Sequence, residues 1–221
     1  NDTAKPLRLS SYARRRFLLY HLNMAIYDRF ASRYDRLLRP FEKLGLAKWR
    51  SETLSLLPHN ASILEIGAGT GANFSRYPVC RHAAAAEISI KMLEIARGKA
   101  TFQDLVQADA QRLPFAANSF DAAFATMVFC SVSDPAGCLA ETLRTIRPGG
   151  SLVLLEHVRP PGILGRAFDV LNAVTARLAG EHINRQTAAN VEFAGAEIIE
   201  VRPHLLGIFN LIQAKKPAER A

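Results

Sequence analysis

The stretch Ile63-Leu64-Glu65-Ile66-Gly67-Ala68-Gly69-Thr70-Gly71-Ala72-Asn73-Phe74 constrains this chain more than any other. An apolar run of strand length ends in a turn of small residues, and helix-compatible residues follow. A buried parallel strand should therefore enter a tight loop, and a helix should leave it. Glycines at 67, 69 and 71 permit positive φ and let a ligand lie against the backbone. The free N–H groups at the start of the next helix can face a polar ligand. The spacing lacks the later third glycine of a dinucleotide fingerprint and the GK[ST] of a P-loop. An acid, Glu65, instead stands two residues before the first glycine.

The chain of 221 residues is long enough to bury a full core, and 49% of it is hydrophobic. No uncharged run reaches the length of about 18 residues that a membrane-spanning helix needs. Arg14-Arg15-Arg16 precedes only a short apolar run, unlike a signal peptide, which predicts a cytoplasmic protein. Cys80, Cys130 and Cys138 form no CxxC pair and no metal spacing with histidines, so they are expected to be buried reduced thiols, and no metal is expected. The net charge of +8 is unevenly placed. Residues 1–50 hold twelve Lys/Arg against four Asp/Glu, and residues 51–221 hold sixteen of each. A basic N-terminal segment thus precedes a neutral body, and such a segment attracts phosphate.

Within that segment Phe17, Tyr20, Met24, Tyr27, Ala31, Tyr34, Leu38 and Phe41 follow a 3-4-3-4-3-4-3 spacing, which is one face of a helix. Arginines flank the face. Pro40 should end or kink this helix, and a second helix, about Leu44 to Leu57, should stop at Pro58. A basic amphipathic helix with aromatics suits a membrane interface, and it equally suits a lid packed on the following domain. Nucleic-acid binding is disfavoured, because the basic residues interleave with a sustained apolar stripe and no nucleic-acid motif is present. The organisation read here is a basic helical segment, 1–58, followed by an α/β domain, 59–221. Strands are expected over Ala83–Glu87, Gln103–Ala108, Ser119–Thr126 and Ser151–Val158. Asp134 and Pro135 should cap and open a helix running to Ile146. An insertion at about 159–190 should hold an amphipathic helix, Leu164–Leu178, stopped by Gly180. A final antiparallel pair, Glu197–Val201 and Leu206–Ala214, should close the sheet.

E-x-G-x-G-x-G at 65–71 resembles motif I of the class I S-adenosylmethionine (SAM) methyltransferases. Ala108-Asp109-Ala110-Gln111-Arg112-Leu113-Pro114-Phe115, Phe120-Asp121 and Arg147-Pro148-Gly149-Gly150 through to Glu156-His157 resemble later segments of that superfamily. The resemblance implies a doubly wound, seven-stranded Rossmann-like sheet with an N-terminal helical lid. It also implies SAM as cofactor, with S-adenosylhomocysteine as product. It places Glu65 near the methionine end of SAM, with the loop Gly67, Ala68, Gly69, Thr70, Gly71 and Asn73 beneath it. Asp109, with Ala110, should accept from the adenine amino group, and the loop from Thr126 and Met127 to Val132 should run beneath the transferring methyl. Glu87, 22 residues after Glu65, suits the ribose diol, because a carboxylate can accept from both hydroxyls. Ile88 and Met92 should line the adenine.

Tyr27 to Asp35 is similar to the "fa..YD" segment of quinone and phospholipid methyltransferases, where a tyrosine closes over SAM, and Tyr34 is the matching position. Gly69 to Phe74, Cys130-Ser131-Val132 and Glu156-His157-Val158 resemble membrane-associated thiol methyltransferases, whose longer hydrophobic anchor is missing here. These resemblances imply a lipophilic acceptor at a membrane surface, contacted through residues of about 8–40. The acceptor expected first is a phospholipid amine of the phosphatidylethanolamine type, and the alternative is a small lipophilic thiol, phenol or quinone. Such a protein would be peripheral on the inner face of the membrane. Candidates for proton transfer or closure over the acceptor are Tyr34, Tyr27 and His157, the last at a strand end facing the ligand crevice. His182 to Arg185 is a further acceptor-contact candidate. The oligomeric state is not legible.

Overall fold

The computed structural model describes residues 27–178 and 184–218. The front of the basic helix, Gly180 and His182 lie outside the described residues.

Seven strands form one sheet: β1 (Ser62–Ile66), β2 (His82–Glu87), β3 (Asp104–Gln107), β4 (Phe120–Thr126), β5 (Ile146–His157), β6 (Glu197–His204) and β7 (Phe209–Lys215). The order is β3-β2-β1-β4-β5-β7-β6. Strands β1 to β5 pair in parallel, and β7 runs antiparallel to both β5 and β6. The doubly wound fold expected from the glycine-loop segment is therefore present, with its closing antiparallel pair. The chain order reverses at β1, which lies between β2 and β4, so the ligand crevice of such a sheet opens at the C-terminal ends of β1 and β4.

Alternation along the strands divides the core in two. Leu64, Ile66, Ala84, Ala86, Ala123, Ala125, Leu152 and Leu154 face one layer, where Cys138, Leu139 and Leu143 of helix α4 (Pro135–Thr145) and Val191 of α6 (Thr187–Phe193) cover them. Ile63, Ala83, Ala122, Phe124, Val153 and Leu211 face the other layer, against Leu54 of α2 (Ala47–Ser55) and Leu57. Alanine is a poor strand former, yet Ala83–Ala86 make the centre of β2. Burial on both faces overrides propensity here. Small side chains let α3 (Ile90–Arg97) come close, with Ala85 touching the cluster that holds Ala96 and Phe74.

The N-terminal segment departs from expectation at one point. Pro40 does not end the helix: α1, residues 27–41, continues through a π-turn, Glu42–Leu46, into α2. The proline costs one backbone hydrogen bond, and the wider turn that follows takes up the misfit. The break falls at Gly45 instead, at φ 139°, where any Cβ would sit 2.8 Å from Trp49 Cζ2. The fifth strand begins at Ile146, five residues before the expected Ser151. The pairing jumps from Phe120↔Ile146 to Ala122↔Ser151, so Arg147–Gly150 form a bulge. Asp134 caps α4 by accepting from Gly137 N, with Pro135 at its first turn. Helix α5 runs Gly162–Leu178, and the short α6 was not expected. Gln186 at its N-terminus makes no side-chain cap bond, so it leaves no sequence signal. Cys130 and Cys138 are buried as expected, whereas Cys80 is only half-buried.

Candidate active site

A cavity opens at the reversal point. Its walls come from the turn after β1 (Gly67, Gly69), the end of β2 (Glu87, Ile88), Met92 of α3, and the segment after β3 (Asp109, Ala110, Gln111). The loop after β4 adds Thr126, Met127, Val128, Ser131, Val132 and Ser133. Tyr27 and Tyr34 of α1 complete it. Most of the expected cofactor and closure residues are thus brought together: Gly67, Gly69, Glu87, Ile88, Met92, Asp109, Ala110, Thr126 and Met127, with Tyr27 and Tyr34 beside them.

Glu87 is fixed from behind. Its two carboxylate oxygens accept from Gly69 N and Ser89 N, each at 2.9 Å. Burial pushes this carboxyl up, and the N–H bonds from Ser89 and Gly69 oppose the rise. Gly69 carries the loop past the carboxylate at φ 54°, and a Cβ there would meet nothing within 4 Å. Gly67, at φ 65°, is different: a Cβ would press on Val128 Cγ2 at 2.5 Å. Asp109 accepts from Gln111 N at 2.9 Å, which turns the chain after β3 into the cavity wall. The opposite loop is held by Glu156, fully buried on β5, whose oxygens accept from Val128 N and Phe129 N at 3.0 Å each.

Five expected cofactor contacts do not line the cavity. Glu65 is fully buried and accepts from Asn73 Nδ2 at 2.5 Å and Tyr77 Oη at 2.6 Å. Burial raises its pKa to about 7, against the pull of the Tyr77 and Asn73 hydrogen bonds and the Arg50 charge. Asn73 is turned inward, because its amide bridges Glu65, Thr126 Oγ1 and the Arg50 guanidinium. Ala68 packs in the core beside Phe74. Gly71 gives Phe74 room, since a Cβ would lie 2.7 Å from the ring. Thr70 donates to Asp35 of α1 at 2.5 Å. His157 does not reach the cavity either. Its ring stacks on Phe168 of α5 at 5.7 Å and meets Phe209 edge-on at 5.3 Å, so it packs with rings beyond the strand end.

Two contributions were not foreseen. Arg50 is buried on α2 and donates to Thr126 Oγ1 at 2.5 Å, to Asn73 Oδ1 at 3.1 Å and to Glu42 at 2.9 Å. Its place on the stripe Leu46-Arg50-Thr53-Leu54-Leu57 was the available signal, because that spacing faces inward. The second is how α1 is attached. Asp28 accepts from Ser89 Oγ at 2.5 Å, and Asp35 accepts from Thr70 and from Lys99 Nζ at 2.7 Å. Burial pushes the Asp35 carboxyl up, but Lys99 and Thr70 outweigh it and hold the group below its ordinary value. Each aspartate follows a cavity tyrosine, and the two pairs stand seven residues apart on one helix face.

The reversal-point crevice, the acid-bearing strand ends and the glycine turn define a nucleoside-cofactor enzyme of the doubly wound class. The sequence profile described as "Methyltransferase domain" matches residues 64–154. A demethylmenaquinone methyltransferase of Clavibacter sepedonicus is 31% identical over 89% of this chain and 91% of its own length. The chain belongs to the class I SAM-dependent methyltransferases, and SAM is its cofactor. A ubiquinone/menaquinone biosynthesis C-methyltransferase of Hahella chejuensis is 32% identical over 70% of this chain and 68% of its own length. Among solved structures, a possible histamine N-methyltransferase of Thermotoga maritima superposes with a TM-score of 0.67 at 24% identity, covering 87% of this chain and 99% of that one. The [4+2]-cyclase SpnF superposes at 0.63 with 20% identity over 78% and 80%. These two likenesses speak for the fold alone.

Proposed function

We propose that this enzyme methylates a ring carbon of a lipophilic quinone-type acceptor. The observation that carries the reading is the match over nine-tenths of the length of a demethylmenaquinone methyltransferase, joined by a relative named for C-methylation. It replaces the lipid amine expected first from the N-terminal segment with the quinone alternative.

In this reading the nucleoside half of SAM lies along Glu87, Ile88, Met92, Asp109 and Ala110, with Glu87 on the ribose hydroxyls. Bound there, SAM supplies an electrophilic methyl group on a sulfonium. The glycine turn at Gly67 and Gly69 lets that ligand approach the backbone. Glu65 and Asn73 act from behind, by fixing the turn and the hydroxyl of Thr126. The remaining wall, formed by Met127, Val128 and Val132 with Tyr27, Tyr34, Gln111, Ser131 and Ser133, receives the acceptor. It is apolar enough for a flat ring and carries hydroxyl and amide groups that can orient ring oxygens.

A phenolic oxygen of the reduced ring gives up its proton, and the electron density it releases makes the adjacent carbon nucleophilic. That carbon would take the methyl group as the sulfonium leaves as a neutral thioether, and it would then lose its own proton while the ring oxygen regains one, so that aromaticity returns with one proton released overall. Such a step needs alignment and exclusion of water more than covalent help. The tyrosines of α1 supply both by covering the cavity.

The test is label transfer from methyl-labelled SAM to a short-chain demethylated hydroquinone, run beside phosphatidylethanolamine vesicles and a set of small thiols. Label on a ring carbon is the expected result. Label confined to the phospholipid or to a thiol overturns the proposal.

A further inference from the structure

We infer that the C-terminal edge of the sheet is a docking surface for an anionic lipid bilayer, with the β6–β7 turn as an apolar wedge that enters it. The inference rests on the quinone reading only in that a lipophilic acceptor must be drawn from lipid.

The first observation is the turn itself. Leu205, Leu206 and Gly207 follow one another at φ 44°, 57° and 80°. Left-handed backbone suits the glycine and is unfavourable for the two leucines, whose Cβ atoms crowd the following carbonyl. Both leucines are nevertheless exposed, Leu206 at 81%. A conformation disfavoured for both, which points two large apolar groups into solvent, makes little sense for stability and good sense for a partner.

The second observation is what surrounds the turn. Strand β6 ends at His204 and β7 begins at Phe209, opposite His157, so the turn lies at the sheet end that carries the cavity. Trp49 stacks on His204 at 5.0 Å and touches Phe209 at 5.1 Å, and its ring lies over Gly45. The π-turn that carries exposed Leu44 is thereby tied through Trp49 to the strand ends that flank the β6–β7 turn. On the other side Gly207 abuts Pro161, which leads into α5 and Ile163, exposed at 85%. Leu37 and Phe41 of α1, the helix that carries the cavity tyrosines, are exposed as well.

The third observation is the charge, which selects the occupant. Residues 27–46 hold three acids, and each is paired within the protein: Asp28 with Ser89, Asp35 with Thr70 and Lys99, Glu42 with Arg50. The five basic residues, Arg29, Arg33, Arg36, Arg39 and Lys43, are all exposed. An apolar edge bordered by exposed cations, with its acids held in pairs, is complementary to anionic lipid.

The experiment is co-sedimentation of the full chain, without acceptor, on vesicles of phosphatidylcholine with and without phosphatidylglycerol. The variants are Leu205→Ser/Leu206→Gly and Arg33→Glu/Arg36→Glu. The unaltered chain should bind the anionic vesicles. The turn variant should bind about tenfold or more weakly, the order expected for leucine side chains withdrawn from an apolar phase. It should also keep its SAM affinity and melt at the same or a higher temperature, because a glycine in place of Leu206 relieves the left-handed strain. The charge variant should lose the preference for phosphatidylglycerol. Absence of vesicle binding, or equal binding by both variants, overturns the inference. So does a dimer of the unaltered chain that the turn variant dissociates, since the edge would then be covered by a second copy. Failure of quinone methylation with retained vesicle binding would sink the acceptor reading alone.

Discussion

Replacing Glu65 by glutamine tests the buried network beneath the cofactor loop. Glu65 is fully buried, and burial raises its carboxyl from an ordinary 4.5 to about 7, although Tyr77, Asn73 and Arg50 all favour the charged form. The folded-state value exceeds the unfolded one, so the protonated carboxyl contributes stability that is complete below pH 4.5 and is lost as the pH rises through about 7. At about 1.4 kcal/mol per pH unit, the span amounts to about 3 kcal/mol. Glutamine does not titrate, so the variant should lack this slope. Its amide oxygen can still accept from Asn73 and its NH2 can donate to Tyr77 Oη, which leaves the tyrosine proton without its former acceptor at a cost of about 1–3 kcal/mol. Glu65→Gln should therefore be the less stable protein at pH 5 and should match or overtake the parent by pH 8. The assay is urea unfolding of both proteins across that range without cofactor, because bound SAM would add its own linkage. A stability difference constant to within about 0.5 kcal/mol from pH 5 to 8 would refute the reasoning.

Glu87→Ala removes the carboxylate that Gly69 and Ser89 hold towards the cavity, and calorimetry should find SAM binding weakened about 10- to 100-fold. Unchanged affinity would refute its place on the ribose. Asp35→Ala cuts α1 from Thr70 and Lys99, so amide exchange over residues 27–41 should quicken by about fivefold. Equal exchange rates would show that the other contacts of α1 suffice. Gly67→Ala forces a Cβ onto Val128 at a left-handed position, and a destabilisation of about 2 kcal/mol should lower the melting temperature by about 4–8 °C. A melting temperature within a degree or so of the parent would mean that the β4 loop yields freely.

Residues close in sequence carried most of what could be read before the structure. The apolar run at 63–66 followed by glycines could make only a buried strand and a tight turn. Acids spaced one strand-and-connection repeat apart, at Glu87 and Asp109, stand at neighbouring strand ends, because parallel strands present their C-terminal ends together. The cap at Asp134 and the final antiparallel pair followed equally from local chemistry. The π-turn was hidden because a proline is the stronger break signal than a glycine a few residues on, yet packing under Trp49 placed the break at Gly45.

The direction in which a side chain points within a short, crowded loop was decided only by tertiary packing. Glu65, Thr70 and Asn73 belong to the cofactor loop by position, but each met a stronger partner than the cavity: Tyr77 for Glu65, Asp35 for Thr70, and Arg50 for Asn73. Those partners lie between 12 and 35 residues away, and no local pattern announces them. The sequence by itself determined the buried strand and tight glycine turn, because backbone periodicity dictates them, and its resemblance to the methyltransferases implied the cofactor and the two acids that line the cavity. Tertiary structure alone decided that α1 is fastened by Asp28 and Asp35, that His157 packs among rings, and that two leucines stand out from a left-handed turn. Each of those depends on which distant surfaces meet, and a buried polar group takes whichever partner is there when water is not.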